Sequence, residues 1–154
     1  MHAVAIDEIR RVFNVTPMQK SFRSGNQTLE QVWFPGAHGC IGGGSWNETG
    51  LSDAALSWMM DRITALGLKL EFDRTAVEGG INHNYRAAFN NKPNLFYKLI
   101  GRHWREITGV SKLECAQFHQ SVKNRWHYPF NKRHLQNSIF YGRRTLKQVF
   151  YTKT

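Results

Sequence analysis

The spacing of apolar residues along the chain predicts both helices and strands. A first helix is predicted by five residues with helical spacing ahead of Pro17: Ala5, Ile6, Ile9, Val12 and Phe13. The run TLEQVWF is short and rich in β-forming residues, and the Pro-Gly pair at 35–36 closes it. We therefore expect a buried strand at about 29–34, followed by a glycine-rich loop.

A second helix is predicted after this loop. Ser52 suits the N-cap position, Asp53 suits the first turn, and Gly67 suits the C′ position. The apolar face of this helix would consist of Leu56, Met59, Met60, Ile63 and Leu66. The next run, LKLEF, alternates apolar and polar residues and predicts a short strand at 68–72.

The second half of the chain carries weaker signals. Residues 73–93 have the composition of a loop. A long helix ending at Gly109 is predicted from the spacing of Leu95, Phe96, Leu99, Ile100, Trp104 and Ile107. The run HQSVKNRW predicts one or two helical turns, and the chain around Pro129 is expected to be extended or irregular.

Length and composition indicate one modest globular domain. The chain has 154 residues, of which 41% are hydrophobic, and no apolar run approaches the roughly 20 residues of a membrane-spanning helix. The first residues, MHAVAIDEIRR, place charges where a secretory signal would be apolar, so we expect a cytoplasmic protein. The two isolated cysteines, Cys40 and Cys115, fit a reducing compartment.

The net charge of +10 is concentrated in the second half. Residues 1–80 hold 7 Lys/Arg and 9 Asp/Glu, a balance of −2, whereas residues 81–154 hold 14 and 2, a balance of +12. The second half also holds 13 of the 20 aromatic residues. Such a composition is typical of nucleic-acid binding, of contact with anionic lipid, or of a solvated basic face over an aromatic core. The sequence leaves these three interpretations open.

Known chemical motifs are mostly excluded. The glycine-rich loop lies between a strand and a helix, as phosphate-binding loops do, but it lacks their lysine and the dinucleotide glycine spacing. The seven histidines form no His-x-His or His-x3-His pair, so we expect no metal and no other cofactor. No Gly-x-Ser-x-Gly elbow occurs, so no serine is recognisable as a hydrolase nucleophile.

His38 follows the predicted buried strand directly, which is the position of the general base in α/β-hydrolases. There the imidazole needs a serine hydroxyl on one side and a carboxylate on the other. Gly36, Gly42, Gly43 and Gly44 would let the backbone pack around the ring and leave space for substrate. The alternative is a histidine bonded to loop backbone beside a tight turn, and one titratable residue does not decide between the two.

Several motifs occur together around this loop: Trp33-Phe34, Gly36-Ala37-His38, Gly42-Gly43-Gly44, Leu51-Ser52-Asp53 and Trp58-Met59. Upstream, HAVAIDEIRRVF carries His-Ala-x-x-x-Asp-Glu-x-Arg, and downstream lie FHQSV and YPFN. Together they resemble the C-terminal part of a bacterial and fungal α/β-hydrolase family that includes the catalytic domains of type VI secretion phospholipase effectors. The similarity is strong over 28–70, fair over 2–13 and 118–135, and thin elsewhere.

The resemblance implies a partial α/β-hydrolase fold. Residues 1–80 would be the C-terminal part of the catalytic domain, and residues 81–154 an α-rich, basic extension of it. The implied reaction is hydrolysis of an ester such as a phospholipid, with His38 as the general base and His2 as a second candidate. Cys40 departs from the family's usual aspartate, and the family's nucleophile elbow and catalytic aspartate lie upstream of the segment that begins at His2.

We therefore expect a truncated or split coding sequence that lacks nucleophile and acid and is inactive alone, because triad members act as a unit. A partner chain with the missing half would complete it, and secretion by a type VI system is a further expectation. Unpaired sheet edges and uncovered apolar faces predict poor solubility, oligomers or dependence on that partner. The competing prediction is a basic module that binds nucleic acid or anionic lipid without catalysis.

Overall fold

A computed structural model describes residues 1–23, 25–43, 49–73, 75–76, 80–89, 93–103, 105 and 116–127. Within these ranges the chain forms three parallel strands and four helices. The strands are β1 (His2–Ala5), β2 (Gln31–Phe34) and β3 (Ala116–Phe118), and they lie side by side in that order. The helices are α1 (His38–Ile41), α2 (Thr49–Ala65), α3 (Leu95–Ile100) and α4 (Gln120–His127). This mixed architecture is compatible with the expected partial α/β fold.

The central strand β2 confirms the buried strand expected at 29–34. It pairs in parallel with β1 on one side and with β3 on the other, and all four of its residues are buried. Trp33 and Phe34 are only 1% and 0% exposed. A parallel strand covered on both faces reads as a continuous apolar run, which is why the sequence pattern found it.

Helices cover both faces of this sheet. One face packs against α4 in a cluster formed by Val4, Ile6, Trp33 and Val122. The other face packs against α2 in a cluster formed by Val32, Phe34, Ala54 and Ala55. Because the two alanines are small, the backbone of α2 can approach the sheet closely. β3 and α4 come from the second half of the chain, so the sheet is built from both halves.

The helix predicted after the glycine-rich loop is present as α2, but two details of the prediction are wrong. It begins at Thr49, so Ser52 lies inside the first turn and donates its hydroxyl to the Thr49 carbonyl at 2.7 Å instead of capping the helix. Its buried face is also different, because Leu56 is 44% exposed. Gly67, with φ of 65°, follows the end of the helix as expected.

The helix predicted from Ala5 to Phe13 is wrong. Ala5 ends β1, and the next residues continue the sheet pairing, since the Ile6 N–H donates to the Phe34 carbonyl at 2.9 Å. The Glu8 carboxylate then accepts the N–H groups of Ile9 and Arg10 at 3.0 and 2.9 Å. A side chain therefore satisfies backbone donors that a helix would have paired, and only a 3-10 turn forms at Arg11–Phe13.

Three further predictions have mixed outcomes. The strand expected at 68–72 is absent: Leu68 and Leu70 are 58% and 56% exposed, and in the described part of the chain they pair with no strand. The long second helix is short, because α3 ends before Gly101, whose φ is 101°. The helical turns of HQSVKNRW are confirmed as α4. The predictions at Trp104, at 107–109 and around Pro129 lie outside the described residues.

The outer edge of β1 is partly capped by a charged side chain. The N–H groups of His2 and Ile6 donate toward β2, so the polar groups of Ala5 face away from β2. The guanidinium of Arg105 donates to the Ala5 carbonyl and, at 2.6 Å, to the Phe13 carbonyl. None of the described helices is long and apolar enough to cross a membrane.

Candidate active site

His38 is the first residue of α1 and lies just beyond the carboxyl end of β2. The turn before it requires glycine, because Gly36 has φ of 115° and a Cβ there would lie 3.0 Å from the Cβ of Cys40. The Gly36 N–H donates to the buried Asp7 carboxylate at 2.8 Å. The neighbouring segment after β1 thus fixes the turn from which His38 projects.

The Glu8 carboxylate holds the imidazole of His38. Oε2 of Glu8 lies 2.5 Å from Nδ1 of His38, the Glu8 side chain is 0% exposed, and the His38 side chain is 47% exposed. We expected the carboxylate partner of this histidine to lie outside the chain. In the described structure the Glu8 carboxylate lies beside Nδ1, and it comes from the segment that the sequence pattern had assigned to a helix.

The contacts around Nδ1 define the tautomer of a neutral His38. Nη2 of Arg10 lies 3.2 Å from Nδ1, and as a donor it would need Nδ1 to accept. Nδ1 cannot donate to Glu8 and accept from Arg10 at once. The contact with Glu8 is the shorter of the two, so we assign Nδ1 as a donor to Glu8. Nη2 of Arg10 lies near Nδ1 because it donates to the same Glu8 oxygen at 2.7 Å. Nδ1 therefore carries the proton, which leaves the Nε2 lone pair available for a base.

Glu8 is held in its ionised form by its neighbours. Burial by itself raises the pKa of this carboxyl, but hydrogen bonds from the Arg10 side chain and backbone and from His38 outweigh that effect and bring the pKa down to about 2. The Arg10 guanidinium binds both carboxylate oxygens, at 2.8 and 2.7 Å. A charged carboxylate beside Nδ1 would stabilise an imidazolium formed at His38.

Aromatic rings pack around this pair. The Phe13 ring lies 4.3 Å from the His38 ring between centroids, and Tyr97 of α3 lies 5.7 Å from Phe13. The Arg10 guanidinium lies over the Phe13 ring at 4.8 Å and over the Tyr97 ring at 5.5 Å. These contacts limit the movement of the imidazole and join α3 to the cluster.

A cleft of about 660 Å³ opens beside His38. Its wall is largely apolar, with contributions from Ala3, Ala5, Ile41, Ala55, Leu56 and Met59. Leu56 and Met59 therefore face the cleft, whereas Met60 of the expected apolar face is buried in the core. The polar side chains that line it are those of His2, Asn14, Thr16, His38, Ser52, Asp53 and Arg105. A mainly apolar cleft with a few polar groups is suited to a ligand with a hydrocarbon portion.

The two candidate histidines line this cleft at different ends of the sheet. His2 begins β1, whereas His38 follows β2, and the four residues of β1 span about 10 Å. Nδ1 of His2 lies 3.1 Å from Oε1 of the buried Gln31. Ligands of parallel sheets bind beyond the carboxyl ends of the strands, which favours the position of His38. The role of His2 stays a prediction.

The candidate glycines divide into three groups. Gly36 shapes the turn before His38. Gly42 and Gly43 line the cleft, and the Gly42 N–H closes α1 by donating to the His38 carbonyl at 2.9 Å. Gly44 lies outside the described residues.

The described residues place a carboxylate but no hydroxyl group beside the His38 ring. Among the described residues, the side chain of His38 has hydrogen-bond contacts with Glu8 and Arg10, and no serine or threonine hydroxyl lies within hydrogen-bond distance of it. The cleft serine, Ser52, donates its hydroxyl to its own helix. Across the described ranges no group of three or more His, Cys, Asp or Glu side chains is arranged to hold a metal ion.

The contact between His119 and Ser121 has a structural explanation. Nδ1 of His119 lies 2.8 Å from the Ser121 hydroxyl and accepts the Ser121 N–H at 3.2 Å. His119 thereby caps the start of α4, and its ring stacks on Phe34 at 4.5 Å. Burial, assisted by nearby His83, lowers the pKa of His119. We assign this pair to the docking of α4.

Sequence reasoning did not single out Glu8, Arg10 or Arg105 as site residues. Glu8 and Arg10 occurred only within the resemblance to the family segment, and the neighbouring apolar spacing indicated a helix that would not have brought them to His38. Arg105 lies about 100 residues from its partner Ala5, and no local pattern marks such a contact.

Comparisons with known proteins point to one family for the first part of the chain. Residues 1–62 match the model of the type VI secretion system phospholipase effector Tle1-like catalytic domain. The matched part covers β1, β2, α1 and most of α2, and it includes both Glu8 and His38. No curated protein and no solved structure matches the chain.

Proposed function

We propose that this chain supplies the histidine and carboxylate of a serine-type ester hydrolase that acts on a phospholipid-like ester. The observation that carries the proposal is the 2.5 Å contact between Glu8 and His38 beyond the carboxyl end of β2. The match of residues 1–62 to a phospholipase effector catalytic domain supports the reaction class. The apolar wall of the adjoining cleft supports a substrate with hydrocarbon chains.

In the proposed mechanism His38 acts as the general base. Nε2 takes the proton of a serine hydroxyl as the oxygen attacks the ester carbonyl, and the imidazolium later gives that proton to the leaving alcohol. Glu8 keeps Nδ1 protonated and stabilises the imidazolium. Arg10 positions the Glu8 carboxylate and keeps it ionised, and so acts on the reaction only through Glu8.

The nucleophile has to come from outside the residues described above. We propose that a partner polypeptide carrying a Gly-x-Ser-x-Gly elbow completes an α/β-hydrolase fold around this sheet. The cleft that His38 lines is also lined by β1, so a partner that docks there would meet the His38 ring. The part of the fold described here would then be one portion of the catalytic domain.

Hydrolysis of phospholipid vesicles and of a short-chain ester tests this function. The purified chain alone should show no activity above that of free imidazole. Co-expression with a polypeptide that contains the Gly-x-Ser-x-Gly segment of the same family should give activity. In that complex His38→Ala should abolish turnover, and Glu8→Gln should lower kcat by about 10²–10⁴-fold, because the imidazole loses its charged partner.

Two matched variants sharpen this test. His103→Ala removes an exposed imidazole. The hydrogen bond from His103 to the Ile9 carbonyl uses the backbone N–H, which alanine keeps, so activity should be unchanged. His2→Ala separates the two candidate bases. Activity that survives His38→Ala and disappears with His2→Ala would contradict the assigned base. Activity of the chain alone that is lost in His38→Ala would contradict the need for a partner.

A further inference from the structure

One side of helix α3 packs against Phe13 and Arg10 beside His38, and another side is exposed. Tyr97 packs near Phe13 and beneath the Arg10 guanidinium. Three large apolar side chains of the same helix are 74%, 63% and 81% exposed: Leu95, Phe96 and Leu99. Spacings of three and four residues place them on one face. We call these three residues the α3 patch.

The charged residues that flank α3 in the sequence from 79 to 105 are all cations. From residue 79 to residue 105 the sequence contains no Asp or Glu and five Lys/Arg. Two of these, Lys98 and Arg102, are exposed, one within α3 and the other two residues beyond its end. An apolar patch with exposed cations beside it complements a surface that offers hydrocarbon beneath a layer of anionic groups.

We propose that the α3 patch docks the protein on an anionic phospholipid bilayer. The side chains of Leu95, Phe96 and Leu99 enter the boundary between headgroups and acyl chains. Lys98 and Arg102 lie at the level of the lipid phosphates. A nucleic acid would also attract the cations, but it offers no comparable phase for three exposed apolar side chains.

The packing of α3 connects this surface to the candidate active site. Tyr97 contacts Phe13, and Phe13 contacts the His38 ring, so docking through the opposite side of α3 brings the cleft near the bilayer. The docking goes beyond the proposed hydrolysis and needs no nucleophile. Vesicle binding can therefore be measured with the full chain even where no ester is cleaved, and the two proposals can fail separately.

Cosedimentation of the full chain with two kinds of vesicle tests the docking. One kind contains phosphatidylcholine alone, and the other contains phosphatidylcholine with phosphatidylserine. We expect the chain to associate with the vesicles that contain phosphatidylserine, and added salt should weaken this association. The double variant L95S/L99S should reduce this association at least about tenfold, because it removes apolar contact with the acyl region. K98E/R102E should also reduce it.

Matched variants show whether the effect belongs to α3. L68S/L70S removes two leucines that are 58% and 56% exposed after α2, and K20E/K69E reverses two other exposed cations. Both should bind like the unchanged chain. Circular dichroism and thermal melts confirm that each variant is folded. The Leu99→Trp variant should show a blue-shifted emission on vesicles that contain phosphatidylserine.

Three results would overturn the proposal. The first is no binding of the unchanged chain to phosphatidylserine vesicles. The second is equal binding by L95S/L99S and the unchanged chain, or an equal loss in L68S/L70S. The third is binding to duplex DNA in place of vesicles, lost in K98E/R102E and retained in L95S/L99S.

Discussion

Oε2 of Glu8 and Nδ1 of His38 lie 2.5 Å apart although 30 residues separate them in the sequence. They meet because β1 and β2 are parallel neighbours, so the segments that follow the two strands leave the sheet at the same end. The buried carboxylate also pairs with Arg10 and with three backbone N–H groups. One side chain therefore organises both the loop after β1 and the orientation of the imidazole.

Replacing Glu8 by alanine should destabilise the fold by about 3 kcal/mol. The change leaves the Arg10 guanidinium and three backbone N–H groups without their acceptor, and breaking a buried charge pair is costly. Urea unfolding measures the loss, with Glu30→Ala as the control because Glu30 pairs with Arg62 at a more exposed site. A loss no greater than that of Glu30→Ala would contradict the organising role of Glu8. The downfield Nδ1–H resonance of His38 should also disappear.

The two glycines on either side of His38 should respond in opposite directions to alanine. Gly36→Ala should cost about 2 kcal/mol or more, because φ is 115° and the new Cβ would lie 3.0 Å from the Cβ of Cys40. Gly39→Ala meets no atom within 4 Å, and in α1 alanine is preferred over glycine by about 1 kcal/mol. Thermal melts compare the two variants. Equal destabilisation would show that the turn is not constrained as described.

The buried Asp7 should make the fold less stable as the pH rises from about 4 to above 6. Burial raises the pKa of this carboxyl to about 6, although the Gly36 N–H and Arg125 act to lower it. The folded state holds the proton more tightly than the unfolded state. Stability is therefore greatest at pH values below the pKa of Asp7 in the unfolded chain, and it is lost as the pH rises through the pKa of Asp7 in the folded protein. The loss is roughly 3 kcal/mol.

Asp7→Asn is the matched control for this pH dependence. Asparagine keeps an oxygen for the Gly36 N–H and carries no charge, so the decline between pH 4 and pH 7 should disappear. Glu8 acts in the opposite sense at lower pH, because its lowered pKa of about 2 gives stability that is lost as the pH falls from about 4.5 toward 2. Urea midpoints from pH 3 to pH 8 measure both effects. An unchanged profile in Asp7→Asn would contradict the assignment.

Local patterns in the sequence predicted β2, the existence of α2 and the turns of α4, because each carries its own signal of β-forming residues, spacing or capping. They did not predict the 5–13 segment correctly. There, Ala5 ends β1, Ile6 and Ile9 lie in a buried loop, and Val12 and Phe13 lie in a 3-10 turn. β3 has only three residues and is defined by pairing with β2, so no local signal marks it.

The candidate site was only half predictable for the same reason. The position of His38 follows from a strand, a turn and glycines that adjoin it in the sequence. The position of Glu8 depends on the pairing of two strands, which the apolar spacing concealed. The apolar face of α2 was misassigned because Leu56 and Met59 face a cleft, and a pattern of apolar residues does not distinguish a cleft from a core.

Arg105 should limit association of the chain through the outer edge of β1. Its guanidinium donates to the carbonyls of Ala5 and Phe13, so Arg105→Ala leaves the Ala5 carbonyl open at the strand edge and removes the donor of the Phe13 carbonyl in the 3-10 turn. We expect a loss of stability of about 1–3 kcal/mol and larger species in light scattering. Arg23→Ala, at an exposed position, is the control. Unchanged scattering and stability in Arg105→Ala would contradict this role.

The central position of β2 has a consequence for the order of folding. Gln31 pairs with His2 at a separation of 29 residues and with Ala116 at a separation of 85 residues. Closing the longer loop costs about 1 kcal/mol more in chain entropy than closing the shorter one. We therefore expect β1 and β2 to pair first and β3 with α4 to join last. A refolding intermediate should accordingly protect the amides of Val4 and Val32 from hydrogen exchange before that of Val122.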